Sequence, residues 1–519
     1  MQKDFRMSIP EFIYVCYLVL MLFAKGIGLY DGQLLYKLFL VGALGLIAIK
    51  MLVTEYSIKE WIVMIVTCLL ITVVYLNCKE KGIVICSLTI LGMKGVSTKR
   101  LLKIGMWTWG ITMFGNIVFH LINLDSSGYK VHEKLGLGHI FRWDLGFSHP
   151  NVLHISYLIV SAFIIYNLDK KYNFKHVIWL LAGNIFIFIY SVSYTGILIS
   201  TIYILASWYI NIRGDLNRLE YFLLEMVYPA CILLSMFSPI LLPESIFDTV
   251  NKIFSNRLIL SKYYLTPEYI KLLGNNLEKI TSSVMTMDNS YVFTLIIYGV
   301  VIFLIIVMLY LVLIRNCVKE KKKKELMMIA CFMIAGITEP FLFNTSFKNI
   351  TLLFLGDYLW NCRAGVLKGE KKFVLLPIKI NEVAWDITKI TEFKENIVFV
   401  WKNKYKKLLI FALGLGLISG VLCGMNKQMP DGYIVPRKHV DIESDETWYL
   451  DSANDSQYEK YKIMDYVDKE TRMQILEGNI VTVEKVRSCI SSICLTAFVV
   501  MGFGIMYNVY LEQKKNDKR

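Results

Sequence analysis

Apolar residues recur along this chain in long runs that short polar segments separate. Runs of about 18 to 22 residues follow one another from Glu11 to Tyr510, and a helix of that length crosses a hydrocarbon layer of about 30 Å. The pattern predicts an all-α polytopic membrane protein with about fourteen spans. We place the spans at about residues 11–30, 33–53, 60–77, 82–94, 104–122, 150–168, 176–191, 194–211, 221–242, 291–314, 326–340, 348–360, 407–424 and 488–510.

The spacing of these runs predicts three regions. A bundle of about twelve spans occupies residues 1–360, a basic cytoplasmic linker occupies 361–406, and a two-span module with an external segment at 425–487 occupies 407–519. The bundle has two external loops, at about residues 123–149 and 242–290. The second loop has apolar residues at helical spacing, which predicts amphipathic helices at the membrane surface, although a solvated connector is the alternative.

Composition and charge exclude other classes of protein. Of 519 residues, 55% are hydrophobic and 19% are charged, and the mean hydropathy is +0.50. This is more apolar residue than the core of a soluble protein of this length can bury. The net charge of +14 comes from short basic clusters between spans, so it indicates membrane topology and not nucleic-acid binding. The positive-inside rule then predicts a multi-pass protein of the cytoplasmic membrane with both termini inside. The 11 cysteines fall mostly within apolar runs and imply neither zinc nor disulfides.

The first external loop ends in a segment rich in polar chemistry, His139 to Tyr157, which reads HIFRWDLGFSHPNVLHISY. Arg142, His149 and Asn151 bring a cation, an imidazole and an amide to one turn-rich stretch at the membrane surface. Pro150 suits the first turn of the following helix, which places His149 at the helix entrance. An interfacial arginine and a histidine bonded within the bundle are the alternative readings.

Further polar candidates lie in the second external loop and beyond it. Arg257 and Lys262 occur in NRLILSKYYL, and GITEP places Glu339 near the bilayer face, where a carboxylate needs a partner or a purpose. Three more candidates open the tenth predicted span, where capping is the competing explanation for the first two. These three residues are Asp288, Asn289 and Tyr291.

The segments RWDLGFSHPN, NRLILSKYYL, DNSYVFTLIIYGVV and GITEP resemble the polysaccharide polymerases of the O-antigen polymerase and ligase superfamily, particularly the capsular type. The resemblance covers about residues 60–360. It implies a glycosyltransferase that polymerises polyprenyl-pyrophosphate-linked oligosaccharides on the outer face of the membrane. Many relatives have SRTG where this chain has Ser193 to Gly196, SYTG, so the arginine expected there is missing.

The external loops of the bundle contain no DxD motif, so we expect guanidinium groups, without metal or cofactor, to balance the charge of the leaving pyrophosphate. His149 and Glu339 are the candidate catalytic bases. The remaining candidates are assigned to pyrophosphate or substrate binding: Arg142, Arg257, Asn151, Lys262, Asp288, Asn289 and Tyr291. This hypothesis requires Arg142, His149 and Arg257 to meet in one outward-facing pocket.

Two other functions fit the sequence. A ligase of the same superfamily would pass finished glycan to a different acceptor, and a flippase or transporter would move lipid-linked oligosaccharides. A transporter should have charged residues near mid-membrane and paired broken helices. The expected partners are lipid-linked glycans and the bilayer, with a chain-length regulator and a flippase as further candidates, and no nucleic acid.

Overall fold

A computed structural model describes residues 4–124, 127–134, 138–254, 256–281, 286–362, 371–377, 382–386, 388–436 and 473–516. Helices dominate these residues, and ten of the helices are long and apolar enough to cross a membrane. The prediction of an all-α polytopic membrane protein is therefore confirmed. The count of fourteen spans stays a prediction.

Nine helices form the first half of the bundle. They are α1 Ile9–Gly26, α2 Leu34–Val53, α3 Ile58–Cys78, α4 Gly82–Leu91, α5 Thr98–Ile122, α6 Pro150–Leu168, α7 Phe174–Ser191, α8 Tyr194–Arg213 and α9 Arg218–Leu241. All but α4 and α5 belong to the ten apolar spans. Helix α5 is long enough to cross but less apolar, and α4 has only 10 residues.

The second predicted external loop contains three short helices, α10 Glu244–Ile253, α11 Arg257–Tyr264 and α12 Leu277–Ile280. Leu258 and Tyr264 are buried against the bundle, whereas Ile270 is exposed. The predicted helical character of this loop is therefore present. Its apolar positions are divided between the protein core and the surface.

Five further helices complete the chain. They are α13 Ser290–Lys319, α14 Lys323–Ala335, α15 Leu352–Asp357, which a π-helical turn at Tyr358–Cys362 extends, α16 Thr388–Asn426 and α17 Asn479–Asn516. Helices α16 and α17 pack along each other, and both are long and apolar enough to cross a membrane. Helix α16 begins well inside the predicted linker at 361–406. Most of the predicted external segment at 425–487 lies outside the described residues.

Four pairs of short antiparallel strands supplement the helices. The strands are β1 Asp4–Ser8, β2 Tyr56–Ser57, β3 Tyr129–Lys134, β4 Gly138–Trp143, β5 Lys372–Phe373, β6 Glu382–Asp386, β7 Gly432–Pro436 and β8 Met473–Glu477. The pairs are β1 with β6, β2 with β5, β3 with β4, and β7 with β8. Arg142 therefore lies on a strand, just before the turn-rich part of the stretch that ends at Asn151.

Local sequence explains where several helices begin. Ser57 and Glu60 form a capping box at the start of α3, and Asn217 and Glu220 form another at the start of α9. Each box satisfies two backbone N–H groups that have no partner within the helix. Because such caps depend on residues three positions apart, they fix helix starts without help from the tertiary structure.

The bundle has two chemically different ends. We call one the site end, where α6 and α13 begin and α7 and α9 end. At the opposite end, the basic end, cationic side chains cluster at the helix termini. These residues include Arg100, Arg213, Arg218, Arg315 and Lys324. The separation is that expected of a membrane protein whose basic end faces the cytoplasm.

The chain after α14 continues without helix through the interior of the bundle. Residues 336–351 run beside α13, where the Tyr298 hydroxyl donates to the Phe343 carbonyl at 2.7 Å and the Tyr310 hydroxyl contacts Thr351 Oγ1 at 2.9 Å. Ten helical residues of α13, 300–309, separate the two tyrosines from each other, so the segment follows this helix for at least about 15 Å. Non-helical backbone at membrane depth occurs where protein or a water-filled cavity surrounds it.

The loop between α9 and α13 inserts its backbone into a break in α13. Gly299 has φ +86° and interrupts this helix, and the Asn275 N–H donates to the Ile297 carbonyl at 3.2 Å. The Val300 N–H in turn donates to the Lys271 carbonyl at 3.0 Å. The loop is therefore fixed to the bundle by backbone hydrogen bonds, which excludes a merely solvated connector at 271–275.

Candidate functional site

The site begins at the N-terminus of α6. Pro150 is the first helical residue, as the sequence predicted, and His149 is the N-cap with an extended backbone at φ −164°. The Asn151 N–H donates to His149 Nδ1 at 3.1 Å. A neutral imidazole whose Nδ1 accepts a hydrogen bond carries its proton on Nε2, so the half-buried His149 presents a donor to its remaining surroundings.

The charge state of His149 follows from its neighbours. Burial lowers the pKa of the His149 imidazole well below its ordinary value, and nearby Arg142, Lys130, His132 and Arg257 lower it further. The imidazole is therefore neutral near pH 7. A ring with so low a pKa is a weak proton acceptor.

Arg142 projects from strand β4 into the protein. Its Nε donates to the Ser191 carbonyl at 2.9 Å, and its Nη2 donates to Asn151 Oδ1 at 2.5 Å. The residue is only 3% exposed. Burial lowers the pKa of its guanidinium to about 10, so Arg142 is still a cation at neutral pH.

Asn151 connects Arg142 to Glu339. Its Nδ2 donates to Glu339 Oε1 at 2.7 Å, while its Oδ1 accepts from Arg142. Glu339 Oε1 also accepts from Arg257 Nη2 at 3.0 Å. One amide and one carboxylate thus join two guanidinium groups that are 115 positions apart in the chain.

Arg257 is the first residue of α11 and completes the network. Its Nε lies 3.8 Å from Asp288 Oδ2, which is an ion-pair distance but too long for a hydrogen bond. Among the residues that the structure describes, this buried Nε has no hydrogen-bond acceptor. Arg257 therefore keeps one N–H for an additional acceptor. We call Arg142, Asn151, Glu339, Arg257 and Asp288 the arginine–glutamate network.

Glu339 is the buried centre of this network. Its side chain is 10% exposed, and its backbone carbonyl accepts from the Ser290 hydroxyl at 2.6 Å. Burial raises the pKa of the Glu339 carboxyl to about 7, and Asp288 raises it further, although Arg257 and Arg142 oppose the shift. Glu339 can therefore both hold and release a proton near neutral pH.

Three predicted site residues make contacts outside the network. Asn289 caps α13 by accepting from the backbone N–H groups of Tyr291 and Val292, at 2.9 and 3.2 Å. The buried Tyr291 donates its hydroxyl hydrogen bond to the Met333 carbonyl at 2.8 Å. Lys262 is exposed, with Nζ 5.1 Å from the centre of the Phe247 ring. Their contacts are structural, so the capping explanation holds for Asn289.

Sequence reasoning missed Lys348, which lies in the non-helical segment after Glu339. Its side chain is buried. Its charge interacts with those of Lys25 and Glu339. A lysine at the start of a predicted span was the available signal.

A second histidine, His154 of α6, packs beside the end of α7 that accepts the hydrogen bond from Arg142. His154 Nδ1 contacts Ser191 Oγ at 3.0 Å, and its Nε2 contacts Asn184 Oδ1 at 2.8 Å. A Cβ atom on Gly196 would lie 2.5 Å from the His154 ring, so the glycine of the SYTG segment gives this histidine its space. Ser191 thus contacts both residues: its hydroxyl is hydrogen-bonded to His154, and its backbone carbonyl accepts from Arg142.

Two open cavities, of about 340 and 380 Å³, lie at the basic end and do not include the network. Their linings include Lys99, Glu325 and Asp357 in one, and Glu225 and Arg315 in the other. In the described part of the chain, no three His, Cys, Asp or Glu side chains are grouped to hold a metal ion. No protein-family model, curated protein or solved structure matches this chain.

Proposed function

We propose that this chain is a membrane glycosyltransferase that joins polyprenyl-pyrophosphate-linked oligosaccharide units into a polysaccharide. The observation that carries the proposal is the arginine–glutamate network, in which Arg142 and Arg257 flank one carboxylate at the site end. A guanidinium is suited to phosphate because it is a permanent cation with several N–H donors in one plane. Among the described residues the Arg257 Nε–H has no acceptor, so it can donate to a phosphate oxygen. The family resemblance in the sequence points to the same substrate.

The reaction transfers a glycan from one lipid carrier to another. A hydroxyl oxygen of the acceptor attacks the anomeric carbon of the donor, and the bond from that carbon to the pyrophosphate oxygen breaks. The electron pair leaves with the pyrophosphate, whose developing charge Arg142 and Arg257 stabilise. Preorganised donors of this kind lower a barrier by about 3 kcal/mol each.

Glu339 is the better candidate for the base that takes the acceptor proton. Its pKa of about 7 matches a proton acceptor working near neutral pH. His149 uses Nδ1 to accept from the Asn151 backbone, which leaves Nε2–H as a donor. We therefore assign proton acceptance to Glu339 and a hydrogen bond toward a substrate oxygen to His149.

The site end would face the outside of the cell. Basic residues concentrate at the opposite end of the same helices, and cationic termini favour the cytoplasmic side. Lipid-linked units presented at the outer surface would then reach Arg142 and Arg257 from the membrane. This orientation matches the predicted cytoplasmic-membrane location with both termini inside.

Alanine substitution of the two arginines tests the proposal. R142A and R257A should each reduce polymer formation by a factor of about 100 or more, because each removes about 3 kcal/mol of charge stabilisation. Polymer length would be measured in cells and with purified protein supplied with lipid-linked units. R315A is the matched control, since Arg315 pairs with Glu225 at the basic end. Normal polymer from both site variants would refute the proposal.

A ligase of the same superfamily would use the same leaving group, so the network by itself does not distinguish it from a polymerase. The product does. Loss of a ligase leaves long lipid-linked chains in the membrane, whereas loss of a polymerase leaves single units.

Transport is a second candidate function, because the bundle contains helices that are too short to cross a membrane. Helix α4 and helix α15 pack together, and the Trp360 indole donates to the Ile90 carbonyl at 3.1 Å. Broken segments that meet inside a bundle are typical of transporters. Reconstituted vesicles separate the two functions, because a transporter moves lipid-linked units across the bilayer without elongating them.

A further inference from the structure

The C-terminal helix pair contacts the strand that carries Arg142. On α17, the Arg487 guanidinium donates from Nη1 to the Phe141 carbonyl and from Nε to the Ile189 carbonyl, both at 2.8 Å. Glu484 pairs with Arg487 and accepts from the Trp143 indole N–H at 3.0 Å. Arg487 and Glu484 are 2% and 5% exposed. We call these two residues the C-terminal clamp.

The clamp contacts one face of β4, and the Arg142 side chain projects from the opposite face. Successive side chains of a strand point to opposite faces, so Phe141 and Trp143 face α17 when Arg142 faces the network. The Phe141 ring also packs edge-on against Tyr433 of β7, with ring centres 4.9 Å apart. Strand β4 is thus fixed by both β7 and α17.

The clamp also fixes the other partner of Arg142. Arg487 binds the Ile189 carbonyl, and the Tyr190 hydroxyl contacts Ser491 Oγ at 2.6 Å. The next residue, Ser191, supplies the carbonyl that accepts from Arg142 Nε. Both the strand that carries Arg142 and the helix end that receives it are therefore bonded to α17.

We propose that Arg487 and Glu484 are positioning residues for Arg142, so that the C-terminal helix pair sets the geometry of the phosphate-binding guanidinium. The inference rests on the proposed function only for its effect on catalysis. Its structural content, that α17 holds β4 and the end of α7 in place, stands apart from any activity. Helices α16 and α17 then belong to the working site and are more than an appended module.

The test uses the full-length protein with the clamp replaced by residues of similar shape. The double variant E484Q/R487M removes both charges together, which avoids leaving one buried charge without its partner. R487K keeps the cation but loses the planar fork. K404A is the control, because Lys404 Nζ binds Asn508 Oδ1 at 2.7 Å between α16 and α17, 21 positions beyond Arg487.

Two measurements separate positioning from general stability. Hydrogen exchange of residues 138–151 should become at least about tenfold faster in E484Q/R487M, while exchange within α1 to α3 stays as in the wild type. The KM for the lipid-linked donor should rise about tenfold in the double variant and less in R487K. Thermal unfolding of the double variant should match that of K404A.

The outcomes distinguish this inference from the proposed function. Unchanged exchange at 138–151 in the double variant would overturn the clamp, and so would a general loss of thermal stability with an unchanged donor KM. If exchange rises there while the wild-type protein makes no polymer, the clamp holds β4 as inferred and the polymerase proposal fails.

Discussion

Glu339 connects two guanidinium groups that come from different parts of the chain. One bond reaches Arg257 directly, and the other reaches Arg142 through the Asn151 amide. A carboxylate in so buried a place is normally costly, and paired cations offset that cost. The pKa of about 7 shows that burial still outweighs the arginines. Small changes around Glu339 therefore shift its charge at neutral pH.

The titration of Glu339 predicts a pH dependence of stability. Its pKa is about 7 in the folded protein and 4.5 ordinarily, so between these pH values the folded state holds a proton that the unfolded state has released. The free energy of unfolding therefore falls as the pH rises from about 4.5 to about 7, and levels off above. E339Q has no carboxyl to titrate and lacks this decline.

The measurement is thermal unfolding of wild type and E339Q in detergent, at pH values between about 5 and 8. As the pH rises, the unfolding temperature of the wild type should fall relative to that of E339Q. E225Q is the control, since Glu225 pairs with the exposed Arg315 at the basic end, and it should follow the wild type. A constant difference between wild type and E339Q would contradict the prediction.

At the scale of elements, the loop between α9 and α13 is held in place by a break in α13. Gly274 has φ +79°, and a Cβ atom there would lie 1.9 Å from the Ile297 carbonyl oxygen. The Asn77 amide donates to the Leu273 and Gly274 carbonyls, at 2.9 and 2.8 Å, from α3. This loop carries Arg257, so its attachment to α13 helps to place one of the two guanidinium groups.

Substitution at Gly274 should therefore detach the loop. G274A combines a left-handed backbone with a collision against backbone, and we expect a loss of about 3 kcal/mol or more in the free energy of unfolding. G95A is the matched control, because Gly95 has φ +72° but no other described heavy atom within 4 Å of an added Cβ. It should lose about 1 kcal/mol. Equal losses in denaturant unfolding would show that the close approach is unimportant.

At the scale of the whole molecule, the arginine–glutamate network and the clustered basic helix termini lie at opposite ends of the bundle. The arginine–glutamate network occupies the site end, and Arg100, Arg213 and Arg315 occupy the basic end. Many apolar side chains on the long helices remain exposed, such as Leu38, Val66 and Leu233. Exposed apolar surface over such lengths requires lipid contact.

Orientation is predicted by this charge separation and can be measured in intact cells. S148C at the site end should react with a membrane-impermeant maleimide, because Ser148 is exposed beside His149. K99C, which is exposed at the basic end, should react only after the cells are opened. The wild type gives the background, since its described cysteines are buried or half-buried. The reverse pattern would place the site in the cytoplasm.

Much of the fold was predictable because its signals are local. Apolar length marks the membrane helices, Pro150 marks the start of α6, and Asn289 marks the start of α13. The hypothesis from the sequence requires Arg142, His149 and Arg257 to meet in one outward-facing pocket, and in the structure Arg142 and Arg257 are joined through Asn151 and Glu339. Strand β4 was not predictable, because it forms only as a pair with β3.

By itself, the sequence determined a helical membrane protein with its polar candidates gathered at helix ends, because hydrophobic length and capping depend on neighbouring residues. Only the tertiary structure decided that Arg142 and Arg257 are joined through Glu339 and that Lys262 stays at the surface. It also decided that Arg487 donates a hydrogen bond to strand β4 next to Arg142. The physical reason is distance along the chain. Contacts such as Phe141 with Arg487, 346 positions apart, depend on how whole helices pack.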